Sequence, residues 1–190
     1  MEITTAPLTP ERWDDLAAVF GSGICRQCWC MYWRAPRKEF EAAQGEPNRR
    51  RFQARVEAGP PPGLLAYADG EPVGWIQVGP RADVPQWNGA RRLSAPGPDV
   101  SADDPGVWGI SCFTVRVGWR GRGVATALLD AAIDWARTHG ARVVEACPVE
   151  TEAKRPNISL YHGVASSFSR AGFKGVARRR PDRPLMRLEI

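Results

Sequence analysis

Lysine and histidine are scarce in this chain, with three Lys and two His among 190 residues. Its net charge of +5, from 26 Lys and Arg against 21 Asp and Glu, is therefore carried almost wholly by arginine. No stretch approaches the roughly 20 apolar residues that a membrane span needs, so no membrane partner is expected. The start, Met1-Glu2-Ile3-Thr4-Thr5, has neither the charged opening nor the apolar run of a signal peptide, which predicts a cytoplasmic protein. Five Cys, an odd number, do not make a disulfide framework in a chain of this size and fit a reducing compartment. Internal repeats and low-complexity tracts are absent as well. A mildly basic protein attracts polyanions, whether nucleic acid or a phosphate-rich ligand. The arginines are scattered and no nucleic-acid motif occurs, so no nucleic-acid partner is expected. Arg49-Arg50-Arg51 and Arg178-Arg179-Arg180 keep that alternative in view.

What is present is core material: 43% of the residues are apolar, including eight Trp and six Phe. The length suits one domain over residues 1–190. Thr9, Pro10 and the series Trp13, Leu16, Ala17, Phe20 predict a first helix, stopped by Gly21 and Gly23. A second helical region is expected from Arg37 to Ala58, broken near Gly45-Glu46-Pro47 and closed by Gly59 before three prolines. Leu64 to Ala68 and Pro72 to Val78 read as a hairpin about Asp69-Gly70. Residues 79–106 form a Pro- and Gly-rich loop long enough to be functional or mobile. A strand is expected from Val107 to Val117, then an amphipathic helix from Arg122 to Thr138 closed by Gly140. A short strand, Arg142 to Cys147, stops at Pro148. After a polar loop come a helix from Tyr161 to Ala171 and strands from Lys174 to Arg179 and Leu185 to Ile190. This order predicts an α/β (α+β) domain with a mixed sheet.

The informative segment runs from Phe113 to Thr126, where an apolar strand enters a Gly-rich turn that opens a helix. The first amides of such a helix have no internal partners and carry the positive end of its dipole. Glycines let the backbone approach an anion closely, and successive amides can form a nest around it. Such a place binds phosphate groups. The pattern is neither G-x-G-x-x-G nor a Walker sequence.

Arg120-x-x-Gly123-x-Ala125 after an apolar strand resembles the acyl-CoA motif of the GNAT superfamily of N-acyltransferases, and more narrowly the chain resembles uncharacterised bacterial members. The order of elements is similar over nearly the whole chain, and Gly172-Phe173 after a helix is similar to the family's closing signature. The resemblance implies a mostly antiparallel mixed sheet flanked by helices, with two middle strands that splay apart. It implies acetyl-CoA as co-substrate, with the pyrophosphate on the main-chain amides of Arg120, Gly121, Arg122, Gly123, Val124 and Ala125 and a contribution from the Thr126 hydroxyl. Phe113 and Val115 would offer strand groups to the pantetheine arm. The thioester would lie in the gap between this strand and Arg142 to Cys147. A homodimer is left open.

Direct attack needs a neutral amine, an acceptor for its proton and donors to the developing oxyanion. The family's frequent tyrosine acid, four residues before the terminal Gly-Phe, corresponds here to Phe168. The family's common Asn corresponds to Tyr161. Tyr161, Ser166, Ser167 or water remain as donors to the leaving thiolate. For the base, Glu145 lies on the strand beside the expected thioester, where burial would raise its pKa toward a useful range. A structural carboxylate paired with an arginine is the competing reading. Glu150 and Ser111, the latter through water, are weaker candidates. Cys112 and Cys147 lie on the two splayed strands, and an acyl-cysteine route stands beside simple packing.

Cys25-Arg26-Gln27-Cys28-Trp29-Cys30-Met31-Tyr32-Trp33-Arg34 is the oddest stretch. Zinc takes four ligands and no fourth Cys or His lies nearby in sequence, so no metal is expected, with redox switching of a thiol pair a further option. In GNAT proteins the region after the first helix lines the acceptor pocket, which makes Trp29, Tyr32 and Trp33 candidates to clasp a cation or flat ring. Core packing is the competing use. The reading is transfer of an acetyl group to a primary amine, of a small molecule because the long loop and the aromatic stretch suggest an enclosed pocket. The rival is a non-catalytic acyl-CoA-binding or sensor protein.

Overall fold

A computed structural model describes residues 1–21, 24–150 and 161–190. Gly23, expected to help stop the first helix, and the polar loop expected over 151–160 lie outside them. Among the described residues seven strands form one sheet: β1 Ile3–Pro7, β2 Gly63–Ala68, β3 Glu71–Pro80, β4 Val107–Val115, β5 Val143–Ala146, β6 Lys174–Arg178 and β7 Pro184–Glu189. Their order is β1-β2-β3-β4-β5-β7-β6, antiparallel throughout except for the parallel pair β4–β5. The helices are α1 Trp13–Phe20, α2 Ile24–Cys28, α3 Arg37–Ala42, α4 Glu46–Ala58, α5 Val124–Thr138 and α6 Ala165–Arg170.

Both faces of the sheet are covered, and side-chain alternation along the strands feeds two cores. Leu64, Ala66, Ile76, Ile110 and Phe113 face Val124, Leu128 and Ala132 of α5 and Phe168 of α6. Leu65 and Trp75, the alternate positions, face Leu16 and Phe20 of α1, Phe52 of α4 and Trp29. A third, smaller cluster gathers Val84, Trp87, Cys147 and Leu185.

The expected architecture is present, and the departures have local causes. β1 was not anticipated, because a five-residue edge strand rich in Thr carries little apolar signal. The helix expected from Tyr161 is short, since Tyr161 to Gly163 have a different task described below. Residues 79–106, expected as a functional or mobile loop, finish β3 at Pro80 and then fold down over the far end of the sheet. There Trp87 is buried, the Arg179 guanidinium donates to the carbonyls of Leu93, Ala95 and Pro96, and Arg81 reaches β5.

The parallel pair β4–β5 positions the site. Pairing runs from Val107 with Val143 to Ile110 with Ala146 and then stops, while β4 continues to Val115. On its other edge Cys112 pairs with Gln77 but Ile110 pairs with Val78, so Ser111 is an extra, bulged residue at the point of divergence. A bulge bends its strand and increases local twist. The middle strands therefore splay.

Candidate active-site cleft

A cleft opens along the diverging half of β4 and has a volume of about 940 Å³. Its floor is Phe113, Val115, Leu129 and Phe168, one end is the turn from Val117 to Thr126, and its rim holds Phe20, Ile24, Cys25 and Tyr161. A volume of this size holds a drug-sized or larger ligand.

The turn has the geometry that anion binding requires. After a 3-10 turn over Val117–Trp119, Arg120 is extended, and Gly121 and Gly123 take φ of +72° and +87°. Those values lie in the left-handed region that residues with a Cβ avoid. Gly123 is the N-cap of α5 and no side chain caps that helix. The ladder begins with the Ala127 amide on the Gly123 carbonyl at 3.0 Å, which leaves the first-turn amides of Val124, Ala125 and Thr126 for an outside acceptor. Arg120 lies beside them, its Nε donating to the Val115 carbonyl at 3.1 Å. Of the nine residues expected to bind the cofactor, all but Arg122 line the cleft, and the Arg122 guanidinium sits 5.4 Å from the Trp119 ring centre.

The gap between the splayed strands is laced by Tyr161 to Val164. On the β4 side the Phe113 amide donates to the Tyr161 carbonyl at 2.6 Å. On the β5 side the Val149 amide donates to the Gly163 carbonyl at 3.0 Å and the Ala165 amide to the Val149 carbonyl at 2.8 Å. Gly163 makes this crossing possible, with φ of +74° and no room for a Cβ, which would stand 2.8 Å from the Phe168 ring. The Phe113 amide, which the resemblance assigns to pantetheine, is thus committed within the protein, and a ligand reaching it must displace the Tyr161 carbonyl.

The proposed catalytic groups separate. Tyr161 lines the cleft, and burial together with the neighbouring Cys25 thiol pushes its phenol up to about 12. Ser111 is buried at the bulge, its hydroxyl without a partner among the described residues. Glu145 does not line the cleft. Its carboxylate is fully buried at the opposite side of β5, paired with Arg81 Nη1 at 2.8 Å and Arg187 Nη2 at 2.8 Å and receiving the Gly97 amide at 3.2 Å. Every direction from which an amine proton might come is occupied by donors, so the competing structural reading of Glu145 replaces the base. Glu150 is exposed and bound by Arg178, which holds its carboxyl below the usual range. Phe168 is fully buried in edge-to-face contact with Phe113 and Phe173, at 5.9 and 5.1 Å.

The aromatic residues also separate. Trp29 is a core residue, stacked on Trp13 at 5.5 Å and against Phe20 at 5.4 Å, and is unavailable to a substrate. Tyr32 is exposed and packs edge-on to Trp33 and Phe40. Trp33 lies 6.1 Å from the ring of His162, a residue that the sequence does not single out. His162 Nδ1 is 3.3 Å from the Ser111 carbonyl. A carbonyl only accepts, so Nδ1 carries the proton and Nε2 the lone pair. Burial, then the charge of Arg183, lowers the His162 pKa to about 4. No motif announces His162; its distinction is its place in the gap. Among the described residues no group of three or more His, Cys, Asp or Glu is arranged to hold a metal ion, and no helix is long and apolar enough to cross a membrane.

Comparison with known proteins bears on this cleft. The profile of the Acetyltransferase (GNAT) family matches residues 27–164, which include the whole strand–turn–helix unit. The chain belongs to the GNAT acetyltransferase family. Solved structures of similar fold include the PaiA N-acetyltransferase of Thermoplasma acidophilum in complex with coenzyme A, 14% identical with a TM-score of 0.51 and all of both chains covered. An N-acetyltransferase of Staphylococcus aureus Mu50 is 15% identical with a TM-score of 0.54, covering 100% of this chain and 99% of that one. A GNAT-family acetyltransferase of Streptococcus pneumoniae is 14% identical with a TM-score of 0.54, over 100% of both. At these identities the likeness is one of fold. Curated proteins contain no significant match. The GNAT chain is an acyl-CoA-dependent acetyltransferase, with acetyl-CoA as its co-substrate.

Proposed function

We propose that residues 1–190 act as one cytoplasmic domain that transfers the acetyl group of acetyl-CoA to the primary amine of a small molecule by direct attack. The observation that carries this reading is the 940 Å³ cleft, which joins an anion-binding turn at one end to the splayed strands at the other. The amides of Val124, Ala125 and Thr126, with Arg120 beside them, hold the pyrophosphate. Tyr161, whose phenol stays protonated through the physiological range, donates to the departing thiolate. The acceptor amine approaches from the side of Tyr32, Trp33 and His162. Its proton passes to the lone pair of His162 Nε2 as a relay and on from there to solvent water. The imidazole is neutral near pH 7 and is too weak a base to keep the proton.

Thiol release from acetyl-CoA, followed across a panel of small amines with products read by mass spectrometry, tests the reading. Amine-dependent thiol release with an acetylated small product is expected. Acetylation confined to protein lysines would overturn the small-molecule acceptor, and acetyl-CoA binding without turnover on any amine would favour the sensor.

A further inference from the structure

Two half-buried arginines flank the side from which the acceptor approaches. Arg183, on the turn between β6 and β7, donates from Nη2 to the Cys147 carbonyl at 2.8 Å, while its Nε is buried without a partner. Cys147 directly follows β5, where the pairing with β4 has just ended. The Arg92 guanidinium stands 5.3 Å from the ring centre of Trp33, and Arg92 lines a small notch together with Tyr32. Trp33 in turn packs against the cluster that contains Cys147 and lies 6.1 Å from the His162 ring. The contacts Arg92–Trp33–Cys147–Arg183, with His162 against Trp33, gather both cations beside the proton relay. Asp182, Glu150 and Asp83, on the adjoining segments, are engaged elsewhere. Asp182 pairs with Arg180 at 2.8 Å, Glu150 with Arg178, and Asp83 with Arg55 at 2.8 Å. Among the described residues no carboxylate pairs with Arg92 or Arg183.

We infer that the acceptor amine carries a carboxylate, bound by Arg183 and Arg92, so that the substrates are amino acids and related amino-carboxylates. A cation withdrawn from water without a counter-ion is costly, and the carboxylate of a substrate supplies the missing charge. A guanidinium is suited to that partner, because its planar N–H groups match the two oxygens of a carboxylate. The same two charges serve the reaction. A nearby cation disfavours the charged form of an amine and lowers its pKa. His162 already registers this field, since burial first and Arg183 next hold its ring neutral. Direct attack needs a neutral amine, and His162 Nε2 is too weak a base to strip a proton from an ammonium ion. A site that grips the acid end of the substrate and discourages charge on its amine end meets that need without a strong base.

This inference rests on the acetyl-CoA reading of the cleft. The full chain at saturating acetyl-CoA is assayed by thiol release with β-alanine, γ-aminobutyrate and a set of α-amino acids, each beside its own carboxamide. At least one free acid should be preferred over its carboxamide by more than about tenfold in kcat/KM, or about 1.4 kcal/mol. Arg183→Met and Arg92→Met should each raise KM for that acid and bring the acid-to-carboxamide ratio toward one. Arg183→Lys, which keeps the charge and loses the fork, should retain part of the ratio. Arg91→Met removes the same charge from an exposed neighbour and should keep the wild-type ratio. If loss of the Cys147 contact unfolds Arg183→Met, Arg92→Met carries the test. Carboxamides used as well as the acids, a preference that survives both methionine substitutions, or no turnover of any acid by protein that binds acetyl-CoA overturns the inference. The first two of these outcomes leave the acetyl-CoA reading standing, whereas a failure to bind acetyl-CoA by calorimetry overturns that reading and this inference with it.

Discussion

Arg81 Nη1 and Glu145 Oε2 meet at 2.8 Å with neither side chain reaching solvent. Burial, partly offset by that carboxylate, lowers the Arg81 pKa to about 10, so the guanidinium remains charged at neutral pH. Removing one partner of a buried pair leaves the other uncompensated, at a cost of about 3–5 kcal/mol. Glu145→Gln should therefore lower the melting temperature markedly while the folded protein keeps the wild-type kcat. Thermal unfolding and steady-state rates of the same preparation check this. A stable variant with a collapsed kcat would return Glu145 to the chemistry.

Gly123→Val should weaken acetyl-CoA binding more than tenfold. At φ of +87° a β-branched residue is strained, and its Cβ stands where the backbone must meet the ligand. Because strain alone also destabilises, Gly140→Ala serves as the control: Gly140 has φ of +83° at the other end of α5 and does not line the cleft. Calorimetry should show the loss in Gly123→Val and not in Gly140→Ala. Equal affinities would remove the pyrophosphate from this turn.

These two cases mark what was legible in the sequence. The turn could be read because its signal is local: strand, glycines and helix follow one another within 14 residues, from Phe113 to Thr126. Glu145 was left between base and paired carboxylate because its partners Arg81 and Arg187 lie 64 and 42 positions away, so the sequence could not say which arginines meet it. Trp29 was offered to the acceptor because nothing in an aromatic-rich run betrays two left-handed residues that turn its ring into the core. Periodicity found the strands and helices, and only the fold could say which distant side chains share a face.

Tyr161→Phe should lower kcat by about 10–100-fold with little change in acetyl-CoA affinity, since a general acid contributes on the order of 10²–10⁴ and a thiolate leaves without full protonation. Phe168→Tyr should not compensate. Phe168 is fully buried between Phe113 and Phe173, and a hydroxyl left unpaired there costs about 1–3 kcal/mol of stability. Rates and melting temperatures of the two single variants and the double variant check both statements. Wild-type kcat in Tyr161→Phe would take the phenol out of the reaction.

His162 should make the protein acid-labile in a defined window. Burial and Arg183 hold its folded-state pKa at about 4, whereas an unfolded-chain imidazole titrates at about 6.5. Above the unfolded value the ring is neutral in both states and contributes no pH dependence. Between about 6.5 and about 4 the unfolded chain binds a proton that the folded chain refuses, so stability falls as the pH drops. Below the folded value both states are protonated and the loss levels off. A gap of this size corresponds to about 3 kcal/mol at most. Carboxylates paired in the fold, such as Glu150 with Arg178, add their own loss at the low end, so the wild-type curve alone does not isolate the ring. His162→Gln cannot take up a proton and should remove the part of the slope between about pH 6.5 and 5 while leaving the carboxylate part. Urea unfolding of wild type and variant at half-unit pH steps measures the difference directly. Parallel curves for the two proteins would show that His162 is open to protonation in the folded state, and the neutral Nε2 acceptor assigned to the relay would fall with it.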